Sequence, residues 1–212
     1  MGYTTYLFDF DYTLANSSAG IVLCFQHVLQ RHGYTGVSDE AIKRTIGKTL
    51  EDSFSILTGV TDLVTLQAYR SEYVKEADVY MTANTVLYPE THSTLKVLKE
   101  AGAKTGTIST KFRYRIRELL DKKQLTDLFD IIVGGEDVKA PKPSPEGLLF
   151  AIGHLGVSKE ETLYIGDSVV DAETALAAGV DFAGVTHGVT TADELARYPH
   201  RKVMRSLEEL IG

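Results

Sequence analysis

The 212-residue sequence predicts an α/β fold in which a parallel sheet flanked by helices is interrupted, after its first strand, by an inserted all-helical module. Three observations predict it. Five short apolar runs rich in β-forming residues alternate with segments of helical period. Glycine closes most of the helical segments, as a left-handed cap would require. Between the first apolar run and the second, about seventy residues contain no convincing strand.

The first strand is read at Tyr3 to Phe8. The interruption, residues 15 to 84, carries helical spacing at Ser18 to Arg31, Asp39 to Ile46, Thr49 to Leu57 and Asp62 to Tyr80, separated by Gly33, Gly36, Gly47 and Gly59. It far exceeds the dozen or so residues of an ordinary parallel crossover, so residues 1–14 and 85–212 are assigned to the core and 15–84 to the insertion. Beyond it, a helix at Thr91 to Ala101 stops at Gly102 and a strand follows at Lys104 to Ser109, with another at Asp130 to Val133. Ser144-Pro145 opens a helix ending at Gly156. A strand at Thr162 to Ile165, a helix at Val169 to Ala178 and a strand at Asp181 to Val185 complete the alternation. Ser158/Glu161, Thr191/Glu194 and Ser206/Glu209 have capping-box spacing.

Composition excludes several function classes. The apolar share is 43%, that of a globular chain with a buried core. Net charge is −7 without a segregated basic face, which disfavours nucleic acid and anionic membranes. Cys24 is the single cysteine, so internal disulfides and thiolate-rich zinc sites are excluded, and a reducing cytoplasm fits best. No basic n-region precedes the first apolar run, because the first Lys or Arg is Arg31. No apolar run approaches the roughly 18 residues of a membrane span. The expected partner is a small metabolite, and the expected assembly a monomer or weak homodimer.

The chemistry concentrates at strand ends. The first strand runs into Asp9-Phe10-Asp11-Tyr12-Thr13, whose two acids leave it on one side. Crowded carboxylates raise one another's pKa or recruit a hard divalent cation with oxygen ligands; taken alone, the segment also reads as an acidic turn. The strand at Thr162 to Ile165 ends in Gly166-Asp167-Ser168-Val169-Val170-Asp171, with Asp167 at the strand end and Asp171 one helical turn on. Should these strands be neighbours, Asp9, Asp11 and Asp167 converge. In the bland reading Asp167 merely caps the helix. Ser109-Thr110-Lys111 follows the second core strand, where a hydroxyl and helix-start N–H groups suit phosphoryl oxygens. In Lys139-Ala140-Pro141-Lys142-Pro143-Ser144-Pro145, prolines stiffen the chain around Lys142, a cation that could offset the clustered carboxylates and a transferring phosphoryl group.

Asp9 to Thr13, Ser109, Lys142 and Gly166 to Asp171 occur in the order and at the strand ends that mark the haloacid dehalogenase superfamily, which this sequence resembles over essentially its whole length. The insertion is similar to the helical cap of the branch containing phosphoglycolate phosphatase and β-phosphoglucomutase. The resemblance implies a three-layer Rossmann-like core and a Mg²⁺-dependent phosphatase. Asp9 would be the nucleophile forming an aspartyl-phosphate, and Asp11 the general acid and base. Mg²⁺ would be held by the carboxylates of Asp9 and Asp167 and the carbonyl of Asp11, with Asp171 acting through water. Ser109, Thr110 and Lys142 would clamp phosphoryl oxygens, and Thr13 would steady the loop. Tyr12 stands where many relatives have Gly.

The resemblance also separates subgroups. Asp11 distinguishes phosphoryl transfer from dehalogenation. Leu50 stands where the mutases carry a phosphate-gripping arginine, which argues against a mutase, while Lys48 in the same cap loop is a candidate for the substrate's second anionic group. The expected substrate is a small phosphomonoester resembling phosphoglycolate. Pyrophosphate hydrolysis, sugar-phosphate hydrolysis or mutation, and non-catalytic phosphate binding are the competing readings. Elbow and P-loop chemistries lack their motifs.

Overall fold

A computed structural model describes residues 2–212. In chain order it contains β1 (Thr5–Phe8), β2 (Ala15–Asn16), α1 (Ser18–Arg31), α2 (Asp39–Lys43), α3 (Leu50–Thr58), α4 (Leu63–Tyr80), β3 (Val86–Leu87), α5 (Pro89–Glu100), β4 (Lys104–Ile108), α6 (Arg113–Lys123), β5 (Ile131–Val133), α7 (Glu146–Leu155), β6 (Thr162–Gly166), α8 (Val169–Ala178), β7 (Asp181–Val185), α9 (Ala192–Leu195) and β8 (Lys202–Met204). Two compact units result: residues up to Ala15 with Leu87–Gly212, and Asn16–Val86. Among the described residues, no helix is long and apolar enough to cross a membrane.

In the first unit six parallel strands form one sheet in the order β5-β4-β1-β6-β7-β8. β1 is central and the connections diverge on either side of it, which opens the crevice where such sheets hold ligands, beyond the strands' carboxyl ends. Period-two alternation gives each sheet face its own core. Phe8, Leu95, Ile116, Leu120 and Ile165 fill one side. Leu7, Ile108, Leu148, Tyr164 and Phe182 fill the other.

The second unit buries its own cluster, in which Phe25 lies 4.7 Å from Phe54 and 4.8 Å from Tyr73 between ring centroids. Cys24 is buried there as a free thiol. Caps fix the helix starts. Thr49 accepts from the Asp52 N–H at 3.0 Å and Asp62 from the Thr65 N–H at 2.9 Å. Gly59, at φ 76°, closes α3 in the left-handed region open to glycine.

Three expectations change. The helix expected to reach Ile46 ends at Lys43, because the Thr45 hydroxyl takes the Ile42 carbonyl at 2.7 Å that another helical turn would need. Ser158 and Glu161 exchange their box bonds, 3.2 and 3.3 Å, yet no helix follows, since Thr162 is already paired with Thr5 in the sheet. The Thr191 box opens α9 as read, whereas Ser206 caps only a 3₁₀ turn, Leu207–Leu210. β8, three residues at the sheet edge, is too short to show alternation and escaped the sequence reading.

Candidate active site

β1 pairs with β4 on one side and β6 on the other, so Asp9, Ser109 and Asp167 leave adjacent strands at the same end of the sheet. The Asp9 N–H extends the ladder to the Ile165 carbonyl at 2.8 Å. The chain then turns sharply: the Phe10 carbonyl accepts from the N–H groups of Thr13, Leu14 and Ala15, at 3.3, 2.9 and 3.0 Å. Tyr12 sits at φ 60°, a conformation that costs a non-glycine residue roughly 1–2 kcal/mol. The family resemblance puts glycine at this position, and here a tyrosine takes up the left-handed geometry.

Asp9, Asp167 and Asp171 are buried and offer oxygens within 4.8 Å of one another. Lys142, 5% exposed at its side chain, meets Asp9 Oδ1 at 2.8 Å and Asp171 Oδ1 at 2.7 Å. Its backbone lies in the proline-rich segment, and the Lys142–Pro143 bond is cis. Burial alone would lower the Lys142 ammonium, but the Asp171 and Asp9 carboxylates outweigh it and hold its pKa well above the ordinary value. The acids respond to crowding. Burial first, with Asp171 and Asp11 adding repulsion against the pull of Lys142, pushes Asp9 up to about 7. Burial with repulsion from Asp171 and Asp9 also raises Asp167 well above the carboxylate range.

Asp171 has a more specific position than the sequence suggested. Ser168, not Asp167, is the N-cap of α8, and the Asp171 Oδ2 returns a bond to the Ser168 N–H at 3.1 Å and accepts the Ser168 hydroxyl at 2.6 Å. Its Oδ1 takes Lys142 and the Tyr164 hydroxyl, the latter at 3.0 Å. With four bonds accepted, Asp171 is the hub that holds Lys142. The Asp167 Oδ1 accepts the Thr13 hydroxyl at 3.3 Å, so Thr13 ties the two acidic loops together. A Cβ on Gly188 would collide with the Asp167 carboxylate, which explains glycine there.

At the end of β4 the Ser109 hydroxyl, in a buried residue, accepts the Lys111 N–H at 3.2 Å. Thr110 is half-buried, with its carbonyl pressed against Gly135. The helix-start amide expected to face a phosphoryl group is already taken at Arg113, whose N–H meets both Glu136 oxygens at 2.9 Å. Lys48 belongs to the second unit, where it lines an open hollow of about 450 Å³ with Arg44, Thr45 and Ser38.

Sequence reasoning missed three participants. Lys111, quoted but given no role, reaches Asp11 Oδ1 at 3.1 Å. Tyr164 holds Asp171, and its phenol inside a wholly buried central strand was the available signal. His187, two residues past the end of β7, faces the Thr13 carbonyl at 3.2 Å and Glu90 Oε1 at 3.1 Å, and packs against Tyr88 with ring centroids 4.1 Å apart and the planes tilted by 37°. The rule that located Asp9 and Asp167, polar residues just beyond a strand, applies to it equally.

The sequence profile of haloacid dehalogenase-like hydrolases matches residues 6–185, most of the chain. The chain belongs to this family. A haloacid dehalogenase-like hydrolase from Bacteroides fragilis, known from a crystal structure, is 61% identical and superposes with a TM-score of 0.97, over 98% of this chain and 99% of that one. Among curated relatives, the pyrophosphatase PpaX of Bacillus pumilus is 33% identical over 98% of this chain and 94% of its own length. A phosphoglycolate phosphatase of Photorhabdus laumondii is 29% identical over 97% and 89%. The Bacteroides fragilis structure shares the core of parallel strands flanked by helices seen here.

The donor set fits the divalent cation of such hydrolases. With a cation to hold them ionised, Asp9, Asp167 and Asp171 would set three negative charges against the one positive charge of Lys142 in a buried place, while the Asp11 side chain faces Lys111. All available ligands are hard oxygens, as Mg²⁺ prefers.

Proposed function

We propose that this phosphatase hydrolyses a small phosphomonoester, resembling phosphoglycolate, through an aspartyl-phosphate on Asp9 and with Mg²⁺ as cofactor. The observation that carries the reading is the buried ammonium of Lys142 set 2.8 Å from Asp9 and anchored by Asp171. A nucleophilic carboxylate must be ionised, and Lys142 favours that form where burial opposes it. Asp9 attacks phosphorus while Asp11 gives its proton to the departing oxygen; Asp11 then takes a proton from the water that cleaves the intermediate, a role contributing roughly 10²–10⁴-fold. Ser109 and Lys142 hold phosphoryl oxygens, and Thr13 keeps Asp167 in register with the Asp11 loop. Mg²⁺, bound by the Asp9 and Asp167 carboxylates and the Asp11 carbonyl, would supply charge neutralisation for the phosphoryl group and its carboxylate neighbours.

Pyrophosphate is the second reading, favoured by the pyrophosphatase names among relatives. The test is phosphate release from p-nitrophenyl phosphate and from a panel of phosphoglycolate, pyrophosphate, sugar phosphates and nucleotides, before and after EDTA. Turnover that EDTA abolishes and Mg²⁺ restores is expected. Metal-independent turnover would overturn the cofactor assignment, and no turnover on any of them would favour a phosphate-binding protein.

A further inference from the structure

Past β7 the chain folds back over the acidic loops. Thr186 extends the sheet edge, its N–H on the Met204 carbonyl at 2.9 Å, and Gly188 passes so close to Asp167 Oδ2 that a Cβ would not fit. Between them stands His187, with 8% of its side chain exposed and its ring fixed against Tyr88, whose hydroxyl donates to the His187 carbonyl at 3.4 Å. Each ring nitrogen faces an oxygen. Nδ1 lies 3.2 Å from the Thr13 carbonyl, and Nε2 lies 3.1 Å from Glu90 Oε1, which also accepts the Ser206 hydroxyl at 3.2 Å. A carbonyl can only accept, so in the Nδ1 contact the imidazole donates.

The two contacts have different consequences. Glu90 belongs to the first turn of α5, so the Nε2 contact ties the loop to the scaffold. Thr13 is wholly buried, and the donor to its carbonyl among the described residues is His187; a buried carbonyl left without a donor is unfavourable. The next carbonyl, that of Leu14, is served separately, by the Tyr88 N–H at 3.1 Å and the Thr91 hydroxyl at 2.7 Å. The start of α5 therefore fixes the turn after Thr13, and His187 fixes Thr13 itself. Thr13 passes this on, because its hydroxyl donates to Asp167 Oδ1 at 3.3 Å. Residues 187 and 188 thus bear on both oxygens of one carboxylate, His187 on Oδ1 through Thr13 and Gly188 on Oδ2 by close approach. Resting on the reading that Asp167 binds the cation, we infer that His187 is a positioning residue for Asp167: its Nδ1–H, given to the Thr13 carbonyl, keeps the Thr13 hydroxyl on Oδ1 and holds the carboxylate toward Asp9 and Asp171. The imidazole exchanges no proton in this role. It acts on the site only through the turn it holds.

Two substitutions separate the contacts. The amide of an asparagine can stand in for Nδ1 and keep the Thr13 carbonyl, whereas that of a glutamine can stand in for Nε2 and keep Glu90. The test is calorimetric titration of the metal-free protein with Mg²⁺, without substrate, for the wild type, His187→Asn, His187→Gln, Thr13→Val and the double variant Thr13→Val/His187→Gln. His187→Gln should weaken Mg²⁺ binding about 10-fold, as loss of a group that orients a metal ligand does. Thr13→Val should weaken it comparably, and His187→Asn should bind as the wild type does. The double variant should bind about as tightly as the weaker single variant, since both changes break one chain of contacts. Thermal melts of the metal-free variants establish which of them fold. Should His187→Gln not fold, His187→Asn decides alone, because it gives up Glu90 and keeps Thr13: affinity like that of the wild type supports the inference and a 10-fold loss overturns it. Equal weakening in the two His187 variants, additive losses in the double variant, or unchanged affinity throughout also overturns the inference and leaves the phosphatase reading standing. Wild-type protein that binds no Mg²⁺ overturns the cation assignment with it.

Discussion

In the inserted unit Arg31 meets Glu72 at 2.5 Å and Glu76 at 2.6 Å, while in the sheet unit Lys142 meets Asp9 at 2.8 Å and Asp171 at 2.7 Å. Each is one cation between two acids, yet Glu72 and Glu76 move down where Asp9 moves up. For Glu72, Arg31 and His32 outweigh burial and lower the pKa; Glu76 is lowered by His27 and Arg31. Asp9 and Asp167 are raised. Two differences account for this. The Arg31 side chain is 49% exposed and that of Lys142 is 5% exposed, so water screens the first group and not the second. Histidines add donors at the first, at 2.7 and 2.8 Å, and further carboxylates crowd the second. The Arg31 cluster lies in reach of water with its charges matched, whereas the Asp9 cluster is buried with its carboxylates crowded, the arrangement on which the proposed chemistry would draw.

Replacing Asp9 is the hardest test of that contrast. Asp9→Asn keeps a carbonyl oxygen for Lys142 and removes both a nucleophile and a crowded charge. Turnover should fall about 10⁴-fold or more, while the metal-free Tm stays equal or rises. The pH dependence follows in sign. A carboxyl raised from 3.8 to about 7 leaves the native state holding more protons than the unfolded chain between those values, so metal-free stability falls as pH rises through them. Asp9→Asn should flatten that slope in thermal melts from pH 4 to pH 8. A steep loss of Tm in the variant would mark Asp9 as a structural residue instead.

Lys142→Met ranks next. It strands Asp9 and Asp171 with no cation between them, a change that costs about 3–5 kcal/mol and lowers Tm by about 6–20 °C. Asp9, whose carboxyl burial already pushes up to about 7, can then relieve the repulsion by taking up a proton, so the loss should shrink at pH 5 relative to pH 8. A loss independent of pH would show that Lys142 contributes packing rather than charge.

How much of this was legible in the sequence depended on range. Asp9, Asp167 and Ser109 could be read because each sits at the end of a strand whose β-formers announce it, and parallel pairing does the rest. The period of α1 and α8 survived intact because each apolar face has a core to meet. Pairings across the sheet were not legible: that Asp171 would spend its Oδ1 on Lys142 and Tyr164 depends on register between β6 and a proline-rich loop distant in sequence. Lys111 was hidden for a different reason. Its neighbours Ser109 and Thr110 already offered a function, and only the distance to Asp11 gives the lysine one of its own.

The smallest expected effect lies on the other side of the comparison. Arg31→Ala removes the centre of the exposed cluster, but His27 and His32 still face Glu76 and Glu72, and water takes the place of the guanidinium. The Tm should fall by about 2 °C or less. Because the lost attraction acts through solvent, 1 M salt should erase most of the difference between variant and wild type, whereas it should leave the Lys142→Met deficit nearly intact, that pair being shielded from ions. A salt-insensitive drop of Lys142 size in Arg31→Ala would mean that exposure does not separate the two clusters, and the opposite pKa directions would then need another cause.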